Sequence, residues 1–127
     1  MTGPLPDIEI YLQRAAPRDI VSWLKKHFEI METVSQGDSH TLTLAYEGKS
    51  LECVIVEKAA KGGYVSVWFK KNETPWSSDE ECASEAFTVL GVESRCSVGG
   101  WKPGADDDSG GWYRFTDEGR SVVNWLT

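Results

Sequence analysis

The sequence predicts an α+β domain: a curved, mostly antiparallel sheet of five to seven strands, two main helices on one face and a short C-terminal helix, in the order β-α-β-β-β-β-α-β-β-α. Three observations predict it. Several segments alternate apolar and polar residues with a period of two. Two others repeat apolar residues at helical spacing. The connections between the central segments are too short for parallel crossovers. With 127 residues, 40% hydrophobic and 26% charged, the chain has the size and composition of one globular domain over 1–127.

Residues 7–13 set Ile8, Ile10 and Leu12 against Glu9, Tyr11 and Gln13, as a strand with one wet face does. Pro17 suits the first position of a helix, and Ile20, Val21, Leu24 and Phe28 recur at its spacing. The helix is expected over 17–28, with Lys25, Lys26 and His27 complementing the dipole of its last turn. Four strands follow at 29–35, 41–47, 50–58 and 63–71, with turns at Gly37-Asp38, Glu47-Gly48 and Gly62-Gly63. Leu51, Cys53 and Ile55 oppose Val54 and Val56, so the third of these strands is apolar on both faces and central. In the fourth, Val65, Val67 and Phe69 oppose Tyr64, Ser66 and Trp68.

Ser78-Asp-Glu-Glu81 is a capping box, and Cys82, Ala83, Ala86, Phe87 and Leu90 form the stripe of the helix it opens. Gly91 stands where a left-handed stop belongs. Residues 92–98 alternate as a strand, 99–111 form a long glycine-rich loop, and 112–115 return as a short strand. Thr116, Asp117 and Glu118 read as the start of a terminal helix with Val122, Val123 and Leu126 on its apolar side, weakened by Gly119.

Charge narrows the function classes. Residues 1–71 hold nine acids and nine bases, whereas 72–127 hold eleven acids and four bases, which places the whole net charge of -7 in the second part. Such a chain repels phosphate backbones and anionic membrane surfaces, so neither nucleic acid nor membrane is expected as a partner. There is no apolar run of the roughly 18 residues a membrane span needs, and the N-terminus lacks a secretory layout, so a cytoplasmic setting is the default expectation. Cys53, Cys82 and Cys96 are odd in number, widely spaced and on apolar faces, which predicts buried thiols.

No phosphate-cradling loop, zinc-protease pair, nucleophile elbow or dinucleotide fingerprint occurs, so no catalytic residue, metal ligand or cofactor is assigned and an enzyme is disfavoured. His27 reads as a dipole-complementing residue and His40 as a solvated turn residue. The six tryptophans carry more information. Trp23 and Trp125 fit core packing, whereas Trp76, Trp101 and Trp112 flank loops and Trp68 lies opposite the apolar side of its strand. Asp106, Asp107 and Asp108 are the acids with no capping role.

These residues define two expectations. One is a non-enzymatic module presenting Trp76, Trp101 and Trp112 with Asp106, Asp107 and Asp108 to a basic protein surface. The other is a small-molecule site, with an enzyme as its special case, between Tyr64 and Trp68 on the sheet and the 99–111 loop. Homodimerisation through an exposed strand edge or the Trp68 face is a third way to cover aromatic surface.

Overall fold

The computed structural model describes residues 7–71, 73–97 and 111–123. It contains one antiparallel sheet of eight strands and two helices. In chain order these are β1 (Ile8–Gln13), α1 (Pro17–Leu24), β2 (Glu29–Gln36), β3 (Ser39–Tyr46), β4 (Lys49–Ala60), β5 (Tyr64–Phe69), α2 (Asp79–Leu90), β6 (Ser94–Ser97), β7 (Trp112–Thr116) and β8 (Gly119–Val123). Across the sheet the order is β2-β3-β4-β5-β1-β6-β7-β8. The α+β class stands, with one strand more than the largest number expected.

The meander β2 to β5 follows from its turns, and β1 then pairs with β5 from Ile8↔Phe69 to Gln13↔Tyr64. Its other edge pairs with β6 through Tyr11↔Arg95 and Leu12↔Ser94. β1 is thus the seam between two sets of strands. Alternation turns Ile8, Ile10, Leu12, Leu42, Leu44, Leu51, Cys53, Ile55, Val65, Val67, Phe69 and Cys96 to one face, where they join Ile20, Trp23 and Leu24 of α1 and Cys82, Ala83 and Ala86 of α2 in one core. Both helices pack on that face. Glu9, Tyr11, Gln13, Tyr64, Ser66, Trp68, Arg95, Trp112 and Arg114 belong to the opposite, helix-free face.

Two expectations are corrected. The C-terminal helix is replaced by β8, which pairs with β7 from Trp112↔Val123 to Thr116↔Gly119. Asp117 and Glu118 are a two-residue turn, and Gly119 has a φ of 103°, a left-handed value that a helix interior excludes. The β-branched Val122 and Val123 then favour the strand. Trp125 and Leu126 lie outside the described residues. Helix α1 ends at Leu24 rather than at Phe28, so Lys25, Lys26 and His27 fall in the turn beyond it. There the amides of Lys26 and His27 bond three residues back, to the carbonyls of Trp23 and Leu24.

Helix α2 begins at the expected cap, with the return bond of the box shifted by one residue. Ser78 accepts a hydrogen bond from the Glu81 amide at 3.2 Å, while the Glu81 carboxylate takes the backbone N–H and hydroxyl of Ser77 at 3.0 and 2.8 Å. Gly91 closes the helix at φ 71°, donating its amide to Phe87.

Candidate functional site

The start of α2, the segment before it and β7 enclose a groove of about 680 Å³ lined by Pro75, Trp76, Ser78, Glu80, Glu81, Ser84, Glu85 and Phe115. Helical spacing explains the lining. Ser78 and Ser84 each lie three residues from Glu81, and Glu85 lies four from it, so they share one side of α2. Three carboxylates and no basic residue line it.

Glu85 is the hub of the groove wall. Its carboxylate accepts the indole N–H of Trp23 at 2.9 Å, that of Trp76 at 3.1 Å, and a bond with His27 Nε2. One side chain thereby ties α1, the turn after it and the 73–78 segment to α2. Burial works against its charge, yet the bonds from Trp23, His27 and Trp76 outweigh burial and hold the carboxyl below its ordinary range. Glu81 is also lowered, by the Ser77 amide and hydroxyl. Both stay ionised at neutral pH. Glu80 pairs with Arg120 of β8 at the rim.

Trp76, expected on the surface, is 5% exposed. Its ring packs 5.3 Å from both Trp23 and His27, 5.4 Å from Phe69 and 6.0 Å from Phe28. The correction has a simple cause: an indole offered both an aromatic nest and a carboxylate for its N–H is satisfied inside. It contributes to the groove as a wall, not as a projecting anchor. His27, read from sequence as a dipole partner, serves Glu85 instead, and His40 is a bridge in β3 between Ser35 Oγ at 2.8 Å and Glu57 at 2.7 Å.

Tyr64, Trp68 and Trp112 share the helix-free sheet face, each with its own set of partners. Trp68 donates its indole N–H to Asp7 at 2.9 Å beneath Lys70, whose Nζ is 5.5 Å from the ring centre. Trp112 meets Tyr11 edge-on at 5.7 Å. Tyr64 is only 4% exposed: the Arg95 guanidinium lies 5.0 Å over its ring and its hydroxyl donates to Glu93 at 2.7 Å. Gly62 approaches this ring so closely, at φ 99°, that a Cβ would stand 3.1 Å from it. The same Glu93 oxygen takes Arg95 Nε at 2.7 Å and stands 3.2 Å from Arg114 Nε. Burial pushes both the Tyr11 and Tyr64 phenols up to about 12, so neither ionises near neutral pH. Trp101, Asp106, Asp107 and Asp108 lie outside the described residues.

The three thiols are buried and free, and desolvation raises each of them far above the range of a reactive cysteine. Among the described residues no helix is long and apolar enough to cross a membrane, and no group of three His, Cys, Asp or Glu is placed to hold a metal ion. Sequence reasoning passed over Glu80, Glu81 and Glu85 because capping accounts for the first turn of α2. The available signal was Glu81 with Glu85, like charges four residues apart that call for separate partners. Comparison of the chain with protein families, curated proteins and solved structures finds no match.

Proposed function

We propose that the protein is a small, acidic, non-enzymatic binding or regulatory module that receives a basic side chain of a protein partner in the α2 groove. The observation that carries this reading is the lining itself: Glu80, Glu81 and Glu85 line one hollow with Trp76 and Phe115, and the one guanidinium at its rim, Arg120, is engaged by Glu80 alone, which leaves Glu81 and Glu85 without a lysine or arginine among the described residues. Carboxylates draw a guanidinium or ammonium group, and aromatic walls lower the dielectric around it and accept its stem. Each carboxylate already has an internal donor that fixes its direction, and an ionised carboxylate can accept about four hydrogen bonds in all. The site is preorganised rather than spent. Asp106, Asp107 and Asp108 belong to the same acidic half of the sequence and add long-range attraction for a basic surface.

The test uses a short fluorescein-labelled arginine-rich peptide and fluorescence anisotropy. Ser84 is exposed on the groove wall, so Ser84→Lys introduces a competing ammonium without removing any core contact. Affinity should fall about tenfold or more, a difference of about 1.4 kcal/mol, at an unchanged melting temperature. The triple Asp106→Asn, Asp107→Asn, Asp108→Asn variant should lose less. Wild-type affinity in Ser84→Lys would remove the groove from the mechanism.

A second reading rests on the aromatic helix-free face. Tyr11 with Trp112, and Trp68 under Lys70, offer a planar small molecule stacking surface, with Arg95 and Arg114 held nearby on Glu93. A metabolite panel read by tryptophan emission, with Trp68→Phe as the control, separates it from the groove.

A further inference from the structure

Strand β2 is a border of the sheet and pairs only with β3 among the described residues. The two-residue turn Gly37-Asp38 makes Gln36 and Ser39 the first hydrogen-bonded pair of this hairpin. Bonding alternates along an antiparallel strand, so Thr33 and Ser35 turn their N–H and C=O groups away from β3, along the open border. Sheet borders are commonly blunted by charged side chains, Pro or a bulge. In β2 these devices, Glu29, Glu32 and the irregularity between Ile30 and Glu32, all lie in its first four residues, which leaves Thr33 to Gln36 uncharged and in regular register. Every residue from Met31 to Asp38 is exposed, Val34 by 55%.

We propose that β2 is the interface of a two-fold homodimer, in which two copies pair antiparallel with Val34 facing its counterpart in the second copy. Backbone parity limits the registers, because outward-turned groups must meet outward-turned groups. In the Val34 register, Thr33 exchanges bonds with Ser35 of the second copy, Glu32 faces Gln36, and the exposed valines cover one another on the axis. No carboxylate opposes another. The neighbouring allowed registers centre on Thr33, which sets each Glu32 against an apolar Val34, and on Ser35, which sets each Val34 against a polar Gln36; neither covers the valines with one another.

Charge selects the same border. Among the described residues, 7–71, which form β1 to β5 and α1, hold nine acids and nine bases, whereas 79–123, which form α2 and β6 to β8 with their turns, hold seven acids and three bases. The strand order sends β2 and β8 to opposite ends of the sheet. Joining two copies at β2 keeps their acidic ends apart, whereas joining them at β8 would bring that excess together. About four main-chain bonds and one valine pair make a small contact, of the size found in weak, concentration-dependent dimers. The inference is independent of the groove reading.

Val34→Cys tests it, because the three native thiols are buried and a non-hydrogen-bonded cross-strand pair brings two Cβ atoms within disulfide reach. With oxidised glutathione as oxidant, this variant should form a covalent dimer of twice the 14.1 kDa chain mass at least about tenfold faster than Val122→Cys on β8, a collision control. Thr33→Pro removes an outward N–H without breaking the β2–β3 ladder. By light scattering at high concentration it should be a monomer where the wild type is a dimer, and at dilution, where both are monomers, the two should share one melting temperature. A monomeric wild type, equal cross-linking rates at positions 34 and 122, or open-ended oligomers from β2 meeting β8 would each overturn the proposal.

Discussion

At the residue scale, the carboxylates of this protein divide by what surrounds them. Glu85 and Glu93 each collect donors and are held anionic, while Asp79, 9% exposed at the start of α2, accepts the Glu9 amide at 3.2 Å as its one donor among the described residues. Burial pushes its carboxyl up to about 6, the Glu9 amide works in the other direction, and the nearby Asp7 and Glu9 charges add to the rise. Its ordinary value is 3.8, so folding favours the protonated form. The associated stability is present below pH 3.8 and is lost as pH rises through about 6. Asp79→Asn keeps the acceptor for Glu9 and removes the titration. Its melting temperature should exceed that of the wild type by several degrees at pH 7.5, with the gap closing at pH 3.5; a constant difference across that range would contradict the assignment.

Elements show how far the sequence could be read and where it stopped. Half of the capping box of α2 was legible: Ser78 takes the Glu81 amide as the local pattern says, whereas the Glu81 carboxylate goes to Ser77 instead of back to Ser78, and the serine cap supports a prediction: Ser78→Ala should cost about 1 kcal/mol in urea unfolding, with an unchanged slope. The meander was legible because apolar alternation and glycine turns are also local signals. Residues 116–123 were not. Thr116-Asp-Glu118 satisfies a helix start and a two-residue hairpin turn alike, and the choice falls to a partner strand, β7, and to the left-handed Gly119. The site divides the same way. Tyr64, Trp68 and Trp112 share a face by parity along strands, which sequence supplies. Trp76 lies in a loop, where no period says which way a ring points, and its inward turn depends on Glu85, Trp23 and His27 arriving from two other elements.

For the whole molecule, the decisive property is that the charge asymmetry of the chain becomes an asymmetry in space. The two proposed contacts lie on opposite sides of that division and should answer salt differently. Raising ionic strength from about 0.05 to 0.5 M shortens screening to a few ångströms and should weaken peptide binding by more than tenfold. Cross-linking through Val34→Cys should change little over the same range, since β2 belongs to the neutral half. Parallel loss of both would mean that charge rather than strand pairing holds the dimer together.

The central place of β1 reaches beyond the folded state. The strand that joins the two halves of the sheet precedes every other described strand in the chain, yet its partners β5 and β6 emerge some fifty to ninety residues after it. A nascent chain can close the β2–β5 meander from neighbours in sequence, but the sheet becomes continuous only after α2 and β6 have left the ribosome. Until then Ile8, Ile10 and Leu12 form an apolar strand with one edge unpaired, and that interval is when this protein is most open to misassociation.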